Sequence, residues 1–371
     1  MEILSFIIPF IVLLTVVVFV HEYGHYYMAK KYGVGITDFS IGFGKELFGF
    51  KDDLGTRWKF CAIPLGGYVK FYGDRNVFSQ AEQEELLKKY KKADQNKLFV
   101  TKPLYQRALI VAAGPIANFL LAILIFTFIY IFSGKDFTPA IISEVQKDGP
   151  AHSAGIKNGD IIISINNNEV NSVLDVSTYI NTSTKENIVV RVLRNDSELD
   201  FQLSPKMIES EDSLGNKINK KIIGIKVTPP KNELNKKKLG PAAALFYAIK
   251  ETWFVTRSSL EFVVSVFKGK GDTNQLGGPI KIAKITGQVA QLGIIAFLSI
   301  TAYISISLGF INLFPIPMLD GGHLMFYAFE KVLGRPLTQK TQESFFRIGL
   351  FLLIFLMLFT TVNDLKDLGL F

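Results

Sequence analysis

The chain has 371 residues, of which 49% are hydrophobic and 13% aromatic, and many of them lie in long apolar runs that a soluble domain does not contain. A net charge of +8 could indicate nucleic-acid binding, but the lysines flank the apolar runs or lie in polar loops, so we expect no nucleic-acid partner. The single cysteine, Cys61, excludes an internal disulfide.

Four apolar runs are long enough, or nearly so, to cross a lipid bilayer, which takes about 20 residues. The first run lacks the basic start and the cleavage site of a secretory signal, and we interpret it as a retained helix. The sequence therefore predicts a multi-pass α-helical membrane protein with four transmembrane helices. The runs cover residues 3–20, 108–132, 292–318 and 345–362.

The first transmembrane helix, residues 1–33, contains the motif His-Glu-x-x-His. His21 and His25 are four residues apart, so on a helix they project from one face and can bind the same metal ion, while Glu22 can take a proton from a metal-bound water. Ionisable groups in a membrane helix are costly and usually functional. The alternative is that both histidines face the lipid headgroups and bind only water.

Residues 34–105 form a polar segment with two different halves. The first half alternates aromatic and polar residues around glycines, which is typical of short strands and hairpins. The second half contains "QAEQEELLKKYKKADQ", which is typical of a solvated, charged helix. We therefore expect a membrane-associated β-region followed by a charged helix.

A compact α+β module is expected after the second transmembrane helix, residues 106–134. Residues 137–205 combine short β-rich runs, turns of Gly, Asn and Asp, and a small helix. Residues 206–239 have low hydrophobicity and are interpreted as a linker. In residues 240–268 apolar side chains recur at helical spacing but charges interrupt them, which predicts an amphipathic helix in the membrane interface.

A third metal ligand is predicted after the third transmembrane helix, residues 290–318. Asp320 begins the final region, residues 319–371, which holds a Leu-Asp-Gly motif and the fourth transmembrane helix. A catalytic zinc site uses three protein ligands and a water, and an acidic residue at bilayer depth is a candidate for the third. The alternative is that Asp320 only caps the following helix.

Basic residues near the ends of the apolar runs predict the orientation in the membrane. They flank residues 34–105 and lie between the third and fourth runs, so the positive-inside rule places 34–105 in the cytoplasm and 137–205 outside. In this topology the histidine pair and Asp320 meet on the cytoplasmic side, provided that 240–268 does not span.

These features together resemble the site-2 protease family of intramembrane zinc metalloproteases, of the RseP type with a single PDZ domain. The motifs "HEYGH", "AAGPIANF", "QLGGPIKIAK" and "NLFPIPMLDGGH" carry the resemblance, and "GPAHSAGIKNGDIIISINN" resembles a PDZ domain. The resemblance implies one Zn²⁺ per chain, bound by His21, His25 and Asp320, with Glu22 as the general base. It also implies a bacterial inner (cytoplasmic) membrane protein with a cytoplasmic-side β-hairpin region and an inserted PDZ-like domain outside.

A transmembrane substrate must be unwound before cleavage, because a helix hides its carbonyl groups in hydrogen bonds. We expect an exposed strand edge around Ile63 to Tyr68 to hold the substrate by β-augmentation. Asn312 is expected to hydrogen-bond the freed substrate backbone, although a helix–helix hydrogen bond is an equal alternative. The residues predicted to bind substrate are Ile63, Gly66, Gly67, Tyr68, Asn312, Pro315 and Pro317.

The sequence thus predicts an intramembrane zinc endopeptidase acting in regulated intramembrane proteolysis. The resemblance implies transmembrane substrates of the anti-sigma-factor or remnant-signal-peptide type, trimmed beforehand by another protease. Two other interpretations are a catalytically inactive membrane PDZ scaffold and a channel or transporter. A scaffold has no need of an intact set of ligands and base, and a channel predicts charged residues within several spans.

Overall fold

The structure is a computed structural model, and it describes residues 2–73, 89–211, 217–228, 235–269 and 277–367. The charged helix expected at residues 80–95 lies largely outside these ranges. The chain divides into two compact units, Met1–Ile125 with Leu276–Phe371, and Phe126–Gln275.

The first unit begins with a long helix and a bent hairpin. Helix α1 spans Glu2–Lys31 and is followed by the antiparallel strands β1, Ile36–Lys51, and β2, Arg57–Phe71. The predicted β-region is therefore present as a hairpin.

Both strands of this hairpin bend, so that one stretch of β1 has two neighbours. Residues 38–41 pair with 57–60 on one side and with 67–70 on the other. The stretch 67–71 consequently lies at an edge of the sheet, and its outer side has no strand partner in the described part of the chain. We call residues 67–71 the β2 edge.

Two short elements lead from the hairpin to the second long helix. They are the one-turn helix α2, Lys92–Gln95, and a 3₁₀ turn at Phe99–Thr101. Helix α3 then spans Leu104–Phe132, and from Ala108 onward it contains no charged residue.

The second unit is built around an antiparallel sheet in the order β11 (Ile225–Val227), β4 (Ala140–Val145), β5 (Ile161–Ile165), β7 (Ile188–Arg194) and β8 (Ser197–Leu203), with β6 (Asn168–Glu169) paired to β5. Its core is formed by aliphatic side chains such as Ile142, Ile162 and Val190. Asn195 and Asp196 both have positive φ, which forms the tight turn between β7 and β8. The elements are β3 Lys135–Asp136, β4 Ala140–Val145, α4 Pro150–Ala154, β5 Ile161–Ile165, β6 Asn168–Glu169, α5 Val173–Thr182, β7 Ile188–Arg194, β8 Ser197–Leu203, β9 Lys206–Glu211, β10 Lys217–Ile222, β11 Ile225–Val227, β12 Lys236–Lys237 and α6 Pro241–Phe267.

The structure differs from the sequence-based expectation at residues 206–239, which were expected to be a linker. Strands β9 and β10 form a hairpin there, and β11 pairs with β4 at the edge of the main sheet. Ile223, which is 2% exposed, belongs to the aliphatic core. A few apolar residues among many lysines are enough to add a strand because an existing sheet edge supplies the hydrogen bonds.

Helix α6 belongs to the second unit and packs on the rest of it through one face. Ala244 and Ala248 are buried, the Phe254 ring packs on Tyr179, and Lys250 forms an ion pair of 2.7 Å with Glu169. The opposite face leaves large apolar side chains exposed, namely Phe246, Ile249, Trp253, Leu260, Val264 and Phe267.

The chain returns to the first unit with four further helices. A buried carboxylate joins two of them: Asp364 of the last helix accepts hydrogen bonds from the backbone N–H groups of Gly278, Ile280 and Lys281 at the start of α7. The helices are α7 Pro279–Gln291, α8 Ile294–Asn312, α9 Asp320–Leu333 and α10 Gln339–Asp367.

Four helices within the described ranges are long and apolar enough to cross a membrane, in agreement with the predicted number. They cover Ser5–Lys31, Leu104–Phe132, Ile294–Asn312 and Lys340–Lys366.

Candidate metal centre

Helices α1 and α3 are in very close contact at the His-Glu-x-x-His motif. A Cβ atom on Gly24 would lie 2.3 Å from the carbonyl oxygen of Ala113. A Cβ atom on Gly114 would lie 2.3 Å from His25 Nε2 and 2.8 Å from His21 Nε2. Because residue 114 has no side chain, the space beside the two ring nitrogens stays open.

Asp320 reaches this space from the first turn of α9. The preceding loop, residues 313–319, contains Met318 with a φ of 88°, a left-handed conformation that residues other than glycine rarely adopt. A Cβ atom on Gly321 would lie 2.1 Å from the carbonyl oxygen of Phe314, so glycine here lets α9 start directly against the loop. A tightly turned loop therefore positions the aspartate.

The three predicted ligands come together. His21 Nε2 lies 3.2 Å from His25 Nε2 and 3.1 Å from Asp320 Oδ2, and His25 Nε2 lies 3.5 Å from Asp320 Oδ1. Despite its short distance to His21, the buried Oδ2 is not aligned for a hydrogen bond and has no such partner among the described residues. The N-cap residue of α9 is Leu319, so Asp320 does not act as the helix cap, which was the alternative interpretation.

This arrangement fits a tetrahedral zinc ion. Zinc binds histidine nitrogen and carboxylate oxygen at about 2.0–2.2 Å, and the corners of such a tetrahedron are then about 3.3–3.6 Å apart. The observed separations are close to this range: 3.2 Å between the two nitrogens, and 3.1 and 3.5 Å from them to the two different oxygens of Asp320. Two imidazoles and one carboxylate also leave the fourth position for water, as a catalytic site requires.

The charge of Asp320 suits a cation as well. Burial by itself would raise the pKa of this carboxyl, but the neighbouring His25 and His21 outweigh the burial and hold the pKa well below its ordinary value. The carboxyl group is therefore ionised, which is the form that binds metal.

Glu22 faces the same cavity, which has a volume of about 500 Å³. The backbone of Val69 lies beside its carboxylate. A Cβ atom on Gly67 would lie 3.1 Å from Glu22 Cγ, so glycine allows the strand to approach the glutamate. One cavity thus holds the three ligand side chains, the glutamate and the β2 edge.

The comparison with known proteins identifies the family. The model of peptidase family M50 matches residues 9–356. The chain belongs to this family, the site-2 proteases. A relative from Agrobacterium fabrum, named as a zinc metalloprotease, is 41% identical over 98% of this chain and 96% of its own length. Metalloprotease MmpA of Caulobacter vibrioides is 34% identical over 99% of this chain and 97% of its own length.

Membership of family M50 identifies the protein as a zinc metalloendopeptidase. A similarly named relative from Rhizobium meliloti is 40% identical over 98% of this chain and 97% of its own length. Among solved structures, the PDZ domain of an SdrC-like protein from Listeria monocytogenes matches 24% of this chain and 87% of its own, at 21% identity and a TM-score of 0.19.

The residues expected to bind substrate lie in three places. Gly66, Gly67, Tyr68 and Asn312 line the cavity of this M50 protease. Ile63 is half exposed on β2 and is not among the lining residues. Pro315 and Pro317 lie in the loop 313–319 and do not line the cavity either.

Two further residues touch the predicted ligands and were not predicted as part of the site. Gly114 leaves the space beside the histidines open, and Asn118, which is completely buried, has its Nδ2 atom 3.2 Å from His21 Nδ1. Glycine and a buried amide in a membrane helix are equally typical of helix packing. The sequence favoured a packing role for both, although they belong to the motif "AAGPIANF", which by the family resemblance lies near the site, and their spacing of four residues places both on one face of α3.

Proposed function

We propose that this zinc metalloendopeptidase cleaves transmembrane segments of other membrane proteins within the bilayer. The observation that carries the proposal is the position of the ligand cluster: His21 and His25 lie on a helix long and apolar enough to cross a membrane, and Asp320 meets them there. A protease acting only on soluble chains has no need of ligands in such a helix, where polar groups are costly.

His21, His25 and Asp320 hold the zinc ion in this proposal. When bound, zinc polarises the scissile carbonyl group and makes a water molecule a nucleophile near neutral pH. Glu22 takes a proton from this water and passes it to the leaving amine. Gly67 and Val69 of the β2 edge lie beside Glu22 in the cavity that also contains the ligands.

The β2 edge receives the unwound substrate as an added strand. Its outer side has no strand partner in the described ranges, and Gly67 to Val69 line the cavity next to Glu22. An added strand gains main-chain hydrogen bonds, which compensate the substrate for its lost helical ones. Gly66, Tyr68 and Asn312 line the same path, while Ile63, Pro315 and Pro317 flank it in sequence.

The proposal keeps the predicted membrane topology. The hairpin of residues 34–105 and the active site face the cytoplasm, and the module of residues 137–205 lies outside the inner membrane as a PDZ-like domain. Helix α6 lies in the interface, a placement supported by its exposed apolar face. The outer module admits substrates already trimmed by another protease, so that the protein acts in regulated intramembrane proteolysis.

The test compares zinc content and cleavage in the full-length protein in lipid vesicles, with a labelled transmembrane peptide as substrate. Glu22→Gln should retain zinc and lose about 10²- to 10⁴-fold in cleavage rate, the usual contribution of a general base. Asp320→Ala should lose zinc and cleavage together. The matched control is His152→Gln, which removes an exposed histidine of the second unit and should change neither quantity.

Three results would contradict the proposal. Cleavage that persists in Glu22→Gln would show that Glu22 is not the general base. A zinc-loaded wild type that cleaves an unfolded soluble peptide but not the transmembrane peptide would exclude the intramembrane substrate. A zinc-loaded wild type that cleaves neither peptide would favour the inactive PDZ scaffold.

A further inference from the structure

The two histidines differ in what holds their second ring nitrogen. His25 Nδ1 lies 2.9 Å from the backbone carbonyl oxygen of Ile110. Because a carbonyl oxygen can only accept, His25 Nδ1 carries the hydrogen, and its Nε2 presents a lone pair to the cavity. The orientation that a metal ligand needs is thus fixed by the backbone.

His21 meets a side-chain amide instead. Its Nδ1 lies 3.2 Å from the Asn118 amide, which can donate through nitrogen or accept through oxygen. With Nδ2 toward the ring, as in the structure, His21 Nδ1 accepts and the hydrogen must sit on Nε2, the atom that points at His25 and Asp320. A nitrogen that carries a hydrogen there cannot bind a metal ion.

The same orientation leaves the amide oxygen without a partner. Asn118 is completely buried, and its Oδ1 makes no hydrogen bond within the described ranges. Oxygen and nitrogen of an amide are nearly the same size, so a half-turn of the group presents Oδ1 to His21 with no other movement.

We propose that Asn118 is a positioning residue for zinc: in the zinc-bound protein its Oδ1 accepts a hydrogen bond from His21 Nδ1–H, so that the Nε2 lone pair faces the ion. The proposal rests on the proposed ligand role of His21.

The neighbouring helix contacts Asn118 at its backbone and its Cβ atom but not at its amide group. Ser305 Oγ of α8 donates a 2.8 Å hydrogen bond to the Asn118 backbone carbonyl, and a Cβ atom on Gly309 would lie 3.2 Å from Asn118 Cβ. Neither contact involves the side-chain amide, so the amide can turn without changing them.

The first test measures zinc affinity by chelator competition in full-length protein that carries Glu22→Gln, so that no cleavage interferes. Asn118→Leu, of similar volume and without polar atoms, should bind zinc about 10- to 100-fold more weakly, the usual effect of losing a partner of a ligand histidine. Asn118→Asp can only accept and should keep an affinity close to the parent. A packing role predicts the reverse order, since leucine suits a helix interface and a buried charge does not.

Ser305→Ala is the matched control, because it removes the hydrogen bond to the Asn118 backbone and leaves the amide in place. It should keep the parent affinity. A loss as large as that of Asn118→Leu would mean that helix packing, not the amide, controls zinc binding, and would overturn the proposal. So would parental affinity in Asn118→Leu.

A spectroscopic measurement separates this proposal from the ligand assignment. The chain has only four histidines, so ¹⁵N-histidine NMR of the zinc-loaded protein can be assigned by single substitutions. The expected result is His21 with hydrogen on Nδ1 in the parent and in Asn118→Asp. Hydrogen on His21 Nε2 would overturn the role of Asn118, whereas zinc binding unaffected by Asp320→Ala would instead overturn the ligand assignment.

Discussion

Two buried aspartates, one in each unit, differ in how their oxygen atoms are satisfied. Asp160, in the turn before β5, is 1% exposed, and Arg194 donates hydrogen bonds of 2.7 Å to both of its oxygens. The backbone N–H of Lys157 adds a third. Asp320 is also mostly buried, but its Oδ2 has no hydrogen-bond partner within the described residues.

The two aspartates show that burial alone does not identify a functional carboxylate. The second unit supplies every donor that Asp160 needs, so this carboxylate holds a turn in place. The first unit brings two imidazole nitrogens to Asp320 without a set of donors that satisfies it, which agrees with the proposal that a cation binds between the three side chains. An unsatisfied buried carboxylate indicates a metal site only when other ligand atoms face it, because Asp136 Oδ2 is also unsatisfied and belongs to no such cluster among the described residues.

Replacing each aspartate with asparagine should change a different property: zinc affinity for Asp320 and the stability of the second unit for Asp160. The largest effect is expected at the metal centre. Asp320→Asn removes the negative charge from the ligand set, so zinc affinity should fall by more than the roughly 100-fold that marks the loss of an outer partner. Cleavage should disappear with the zinc. Chelator competition on the purified full-length protein measures the change, and unaltered affinity would remove Asp320 from the ligand set.

The open space beside the histidines should be almost as sensitive. Gly114→Ala places a methyl group where it would lie 2.3 Å from His25 Nε2, so either the helices separate or the ring turns away. We expect zinc affinity to fall about 10- to 100-fold, as for other changes that misorient a ligand. Gly240→Ala is the control, because a Cβ atom there meets no described atom within 4 Å. Equal zinc binding in both variants would contradict the observed approach of α1 and α3.

Asp160→Asn should leave zinc unchanged and weaken the second unit. The loss of charge-assisted hydrogen bonds from Arg194 should lower the free energy of unfolding of that unit by about 1–3 kcal/mol. Hydrogen–deuterium exchange of β5 and β7 in the full-length protein measures it. Asp200→Asn breaks the exposed ion pair with Arg191 and should have no measurable effect. Equal protection in the two variants would mean that the buried pair contributes no more than the exposed one.

The contribution of Asp160 should also depend on pH. Burial alone would raise the pKa of this carboxyl, but the hydrogen bonds from Arg194 and Lys157 outweigh it and lower the pKa below the ordinary value. A lowered pKa in the folded state stabilises the protein above the unfolded value of about 3.9, and this stabilisation is lost as the pH falls through the folded pKa. Exchange in β5, corrected for intrinsic rates, should therefore differ between wild type and Asp160→Asn at pH 6 and converge toward pH 3. A constant difference would contradict the pairing.

The sequence was sufficient to predict the parts of the site that follow from local spacing. His21 and His25 lie on one face of a helix because they are four residues apart, and Asp320 follows an apolar run broken by prolines. The side chain of Asn118 and the missing one of Gly114 could not be assigned, because the face of α3 that meets α1 is decided by packing between helices distant in sequence. For the same reason the strands within 206–227 were missed, since their partner is an edge formed some 80 residues earlier.

The contact of Gly24 with Ala113 also restricts how a polypeptide can enter. Not even a methyl group fits between α1 and α3 at this point, so these two helices form a closed wall on one side of the zinc site. The cavity is also lined by the β2 edge, by Met318 and Leu319 of the loop before α9, and by residues of α8 and α10 such as Asn312 and Phe346. A polypeptide therefore cannot reach the cavity between α1 and α3 at this point, and its entrance lies among the other elements that line the cavity.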